Sequence, residues 1–183
     1  MMTQLYEDLI ILKNRLSQTN LQFNAIASVE AIAKFEKDNQ VVLPADYKFF
    51  IQHIGNGGDG PPEYGIMPLG TNESWWFEIQ RNAWLNFQSI RQPFPFSEQW
   101  IWEGDELENV ELQNKIFDGN IYLGTDGCGM DWTLVITGEE HGFVWQITEV
   151  GITPCKPRMT FLQWFNKWLE HDKSSPVPFW WSD

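Results

Sequence analysis

Leu43-Pro44-Ala45-Asp46-Tyr47-Lys48-Phe49-Phe50-Ile51-Gln52-His53-Ile54-Gly55-Asn56-Gly57-Gly58 carries both ends of a helix in its own residues. Pro44 suits a first helical turn, where its missing N–H would have had no partner, and Asp46 sets a carboxylate near the positive end of the helix dipole. Tyr47, Phe50, Ile51 and Ile54 recur at steps of three and four and so share one face. Gly55 can take the left-handed conformation that closes a last turn. The stretch predicts an amphipathic helix that runs into a glycine loop and buries one face.

Towards the N-terminus, Leu5, Leu9, Leu12 and Leu16 form a helical stripe from about Thr3 to Ser17. Ser28 is placed to cap a second helix, with Ile32 and Phe35 on its buried side, that fades near Asp38-Asn39. Towards the C-terminus, Gly55 to Gly65 is too rich in Gly and Pro for regular structure, and Tyr64 to Leu69 is a short edge strand because Pro68 cannot serve a central ladder. Glu73 to Ile90 fits neither period cleanly and is read as strand followed by loop or helix. Asn120 to Leu123, Asp131 to Thr137 and Phe143 to Ile147 have the β-branched and aromatic content of strands. Gly138-Glu139-Glu140-His141-Gly142 joins the last two as a hairpin loop. Thr160 and Gln163 make a capping box for a closing helix striped by Phe161, Phe165, Trp168 and Leu169. These elements give an α+β fold, with an antiparallel sheet of about four to six strands and helices packed on one face.

The Leu-Pro-x-Asp-Tyr helix and its Gly-Asn-Gly-Gly loop resemble the signature of the SUKH superfamily, the Smi/Knr-type domains. Arg91-Gln92-Pro93-Phe94-Pro95-Phe96-Ser97, Tyr122-Leu123-Gly124-Thr125-Asp126-Gly127-Cys128-Gly129, Gly142-Phe143-Val144-Trp145 and the 161–169 helix follow in the order of that family. The resemblance spans residues 28–172, with 1–27 as an N-terminal helical extension and 173–183 as a tail. Phe179, Trp180 and Trp181 in that tail are expected to fold back, since exposed adjacent tryptophans invite aggregation. The resemblance implies a non-enzymatic immunity protein that binds and neutralises a bacterial toxin domain, many such toxins being nucleases. It also allows an intracellular regulatory or scaffold module of the cell-wall-regulator type, although the long disordered flanks expected of one are not in this sequence.

Composition sharpens the choice of partner. The 183 residues suffice for one core without staples, and Cys128 and Cys155 form neither a Cys-x-x-Cys pair nor a Cys/His array, so neither zinc nor a disulfide framework is expected. No secretory signal or membrane-spanning run is evident, and a cytoplasmic location is expected. Twelve Lys and Arg against 25 Asp and Glu leave a formal charge of -13, which repels phosphate backbones and anionic lipid. Direct nucleic-acid or membrane binding is therefore disfavoured, and a basic protein partner is favoured through steering. The same acidity also keeps a tryptophan-rich chain soluble.

Catalytic groups are sparse. His53, His141 and His171 are scattered, and each has a structural explanation by packing or by a helix C-terminus. Cys128 lies between two glycines with no base beside it. Asp126 and Asp131 flank a glycine loop and could form an acid and base pair, but Asp and Gly are also what a turn requires. The Gly124 to Gly129 stretch is neither a P-loop nor a dinucleotide fingerprint. The candidate partner-binding residues are Trp102 with Glu103, Asp105, Glu106 and Glu108, where aromatic anchors stand beside carboxylates, together with Asp59, Glu63 and Tyr64 of the glycine loop and Asp126. The competing reading of the first group is a solvated acidic loop on a core aromatic pair. No catalytic residue, metal or cofactor is assigned, and the oligomeric state is open.

Overall fold

The structure, a computed structural model, describes residues 2–70, 89–102 and 107–181. Helices α1 (Met2–Leu16), α2 (Val29–Asn39) and α3 (Ala45–His53) precede the sheet, α4 (Leu107–Gln113) interrupts it, and α5 (Phe161–Glu170) closes it. Strands β1 (Trp100–Ile101), β2 (Asn120–Gly127), β3 (Met130–Val135), β4 (Val144–Thr148) and β5 (Gly151–Pro154) pair antiparallel in the order β1-β5-β4-β3-β2. This is the α+β architecture that the sequence pattern predicts.

Strand alternation divides the interior into two layers. Ile121, Leu123, Trp132, Leu134 and Val144 point to one face and meet Leu12 of α1, Ile32 of α2, Tyr47, Phe50 and Ile51 of α3 and Phe161, Trp164 and Phe165 of α5. Tyr122, Val135, Trp145, Ile147 and Ile152 point to the other face. It is covered by Phe94, Phe96, Ile116 and Phe117, with Trp100, Trp102 and Leu112 packed against them. Three aromatic rings form the centre of the helix side, where Phe50 lies 5.0 Å from both Phe161 and Phe165 with tilted to edge-on geometry.

The ends of the helices explain their order. Ser28 accepts a hydrogen bond from Ala31 N at 3.1 Å, which starts α2, and Arg91 donates to the carbonyls of Asp38 and Asn39, which closes it. Glu36 accepts from Leu43 N and from Lys48 Nζ, so α2 and α3 share one carboxylate. Asp46 does more than favour its own dipole. Its Oδ1 accepts from Tyr47 N at 2.9 Å, and its Oδ2 accepts from Leu162 N at 3.1 Å in the first turn of α5. One carboxylate of the signature helix thereby satisfies an orphan donor of the helix that packs on it. The Thr160 and Gln163 capping box completes that turn.

Several sequence expectations need correction. Gly55 is not left-handed: Ile54 ends α3 in a right-handed conformation, and Gly55 is required because a Cβ there would lie 2.5 Å from Phe23 Cβ. Tyr64 to Leu69 forms no strand, only an isolated bridge from Ile66 to Gly58, with Met67 N donating to Leu123 O. Gly124 to Gly127 is strand rather than loop, since two bulges carry β2 past Gly124 as far as Gly127. Strands β1 and β5 escape the sequence reading because each is very short, and Glu73 to Gln88 lies outside the described residues. The tail does fold back. Phe179 and Trp180 pack on Trp132 at 6.4 and 5.4 Å, Lys156 N donates to Trp180 O, and Lys156 sits over the Trp181 ring at 4.2 Å.

Candidate functional site

Antiparallel order brings the β2–β3 and β4–β5 turns to the same end of the sheet. Cys128 and Gly129 form the first turn with φ of 51° and 75°, the doubly left-handed geometry whose twist matches its flanking strands. Glu149 and Val150 form the second, closed by the Thr148 hydroxyl, which donates to Gly151 O.

The Gly55 to Gly65 loop packs on one side of this end. Glu63 N donates to Asp126 Oδ1 at 2.7 Å, Tyr64 N donates to Thr125 O, and the Tyr64 ring lies so close over Gly127 that a Cβ there would come within 3.1 Å of it. Trp102 packs on the other side, where its N–H and its Nε1 donate to Val150 O at 3.1 Å and Glu149 O at 2.7 Å. Glu149 bridges the two sides, since a Cβ on Gly129 would meet its Cγ at 2.9 Å. Tyr64, the Cys128 turn, Glu149 and Trp102 thus make one continuous edge.

The exposed groups on that edge are both apolar and acidic. Tyr64 is 54% exposed, Ile101, Met130 and Val150 are also exposed, and Glu63 and Glu149 stand between them. Sequence reasoning placed Glu63, Tyr64 and Trp102 in two separate patches, and the sheet joins them. Ile101, Met130, Glu149 and Val150 were missed; the signal available was a Thr-Glu-Val-Gly string between Ile147 and Ile152, which lacks a standard turn dipeptide. Asp59 is in the same loop and exposed, but its carboxylate is engaged within the chain, its Oδ2 accepting from Gln22 N at 2.7 Å. Glu108 is on α4, and Glu103, Asp105 and Glu106 lie outside the described residues.

Asp126 and Asp131 belong to different environments. Asp126 is half-buried and accepts from Glu63 N and from Trp132 Nε1 at 2.6 Å; burial raises its pKa, and those two bonds oppose the rise. Asp126 therefore ties the loop to the helix-side core. Asp131 is buried on the opposite face, opposite Thr125 in the ladder, and neither of its oxygens has a hydrogen-bond partner among the described residues. The Thr125 hydroxyl donates to Met130 O instead. Burial pushes the Asp131 carboxyl up to about 6, with the facing Thr125 hydroxyl opposing the rise and the nearby Asp126 charge adding to it. Two carboxylates committed to opposite faces do not converge on one substrate atom.

Other chemistry-bearing groups are placed structurally. The His53 ring packs on Phe49 at 4.6 Å, His141 Nε2 lies 3.0 Å from Val42 O, and His171 caps α5. Among the described residues no group of three or more His, Cys, Asp or Glu is placed to hold a metal ion, and no helix is long and apolar enough to cross a membrane. A groove of about 840 Å³ opens between α1, α3 and α5, lined by Leu5, Ile11, Pro44, Met159 and Leu162 among others. None of the described candidate residues lines it.

Residues 26–170 match the model of the SMI1/KNR4 family (SUKH-1). The chain belongs to this family. The SUKH-1 match begins just before the Ser28 cap and ends at the last residue of α5, so it takes in the signature helix, the whole sheet and the edge. No match is found among curated proteins or among solved structures. Membership of SUKH-1 fits an immunity role or a Smi/Knr-type regulatory role, and both act by contact with another protein.

Proposed function

We propose that this SUKH-1 protein is a non-enzymatic, cytoplasmic immunity protein that binds a bacterial toxin domain with a basic working surface, such as a nuclease, and blocks it. One observation carries the reading: a single edge of the sheet gathers exposed Tyr64, Ile101, Met130 and Val150 around Glu63 and Glu149. The apolar groups supply area that an interface can desolvate, and the carboxylates among them select a basic partner. The formal charge of -13 extends this selection to long range, by steering that weakens as salt rises. Inhibition of this kind needs no bond to be made or broken.

Co-expression with the toxin domain encoded beside the gene tests the proposal. Growth is rescued by the wild-type chain, and a 1:1 complex survives gel filtration. Failure of both would contradict it, and recovery of a host regulator in place of the toxin would favour the regulatory role.

A further inference from the structure

Asp131 is a carboxylate that the fold buries without a countercharge. It is 1% exposed, and neither oxygen has a hydrogen-bond partner among the described residues. The Thr125 hydroxyl faces it across the ladder but donates its proton to Met130 O at 3.0 Å. Strands β1 to β5 contain no Lys, Arg or His, and their carboxylates are Asp126 and Asp131. The titratable groups of the elements around Asp131 are Tyr122 and Asp126 of β2, Glu63 of the loop bound to Asp126, Cys128 of the β2–β3 turn and Glu149 of the β4–β5 turn. None of these is a cation. In the layers on either side of Trp145, Lys115 is paired with Glu111 and Arg158 with Glu140. Buried charges are ordinarily paired, and among the described residues this one is not.

Its place in the sheet says from where a countercharge can come. Asp131 follows exposed Met130 and lies next to the Cys128–Gly129 turn. Its ladder partner Ile147 stands two residues before Glu149, so strand alternation sets Glu149 on the same face, one step nearer the tip. The Glu149 side chain lies over the turn, its Cγ 2.9 Å from where a Cβ on Gly129 would be. Exposed Glu149 and buried Asp131 therefore stand in line from the edge inward.

We propose that Asp131 is the inner half of a charge pair completed by the partner: a Lys or Arg of the basic toxin surface docks beside Glu149, and Asp131 releases its proton to solvent as the complex forms. The inference rests on the immunity reading and adds a proton-linked step to it. A cation at this point favours the ionised carboxyl, so the complexed Asp131 titrates below the free one, which burial holds up at about 6. Binding then releases a proton wherever the free carboxyl is protonated, and affinity falls as pH drops through that range. Groups that lower stability are retained where function needs them.

Isothermal titration of the toxin domain encoded beside the gene, in buffers of different ionisation enthalpy, counts the protons directly. With about a tenfold preference of the partner for the ionised form, the wild-type chain releases about 0.4 proton per complex at pH 6 and close to none at pH 8. Its affinity falls about threefold from pH 8 to pH 5.5. Asp131→Asn binds about tenfold more weakly at pH 7.5, loses both the proton and the slope, and still has the higher urea midpoint. Unfolding or repacking would lower stability and affinity together. A wild-type proton count near zero at pH 6, or an Asp131→Asn variant that keeps the count and the slope, overturns the proposal and leaves the immunity reading standing. Absence of any binding overturns both.

Discussion

The helix-covered face of the sheet and its turn-bearing end use the same residue types in opposite ways. On the face, Trp132, Trp164, Phe50 and Phe161 are fully buried; Asp126 accepts from Trp132 Nε1, while Trp164 Nε1 is buried with no hydrogen-bond partner among the described residues. At the end, Tyr64, Ile101 and Val150 stay in water beside carboxylates. The face is optimised for its own stability. The end keeps apolar area that folding does not use, as expected of a surface meant for another molecule.

The sharpest way to separate the two regions is to cut into the face. Phe50→Ala removes the ring that joins Phe161 and Phe165, and should cost about 3–5 kcal/mol in urea unfolding. Any loss of toxin binding should then follow the unfolded fraction alone.

Asp131 is buried on the sheet's other face, next to the β2–β3 turn. Its folded pKa of about 6 lies above the ordinary 3.8, so the folded chain holds a proton that the unfolded chain releases between those values. Stability should therefore fall as pH rises from 4 to 6, by up to about 3 kcal/mol, and stay low above 6. Asp131→Asn should remove this slope and raise the urea midpoint at pH 7. An unchanged slope would mean that the carboxylate is compensated.

Asp126 links the regions, and Asp126→Ala strands the Trp132 indole N–H and the Glu63 amide. It should cost about 2 kcal/mol and weaken toxin binding beyond what stability explains, because the Tyr64 loop loses its anchor. Glu149→Lys should have the smallest effect on folding, within about 0.5 kcal/mol, while slowing association and flattening its salt dependence.

Legibility follows the same division. Helices α1, α2, α3 and α5 announce themselves because each buries one stripe at a 3.6-residue period, and Ser28 and Thr160 mark starts that the structure confirms. The second role of Asp46, on Leu162 N 116 residues away, leaves no local trace. Gly55 shows the same limit: its glycine is demanded by Phe23, a long-range neighbour, and not by the helix end beside it. The edge was half legible. Tyr64 and Trp102 were identified as aromatic residues near acids, but only the pairing of β4 with β5 places Glu149 between them. Strands of two and four residues carry too little periodicity to be read in advance.

The central claim is that the turn-bearing end of the sheet grips a basic toxin domain. Calorimetric titration of that domain into the Tyr64→Ala, Glu149→Lys double variant tests it most directly. The account predicts at least about a hundredfold loss of affinity with a thermal midpoint close to the wild type. Wild-type affinity in a folded double variant would contradict it.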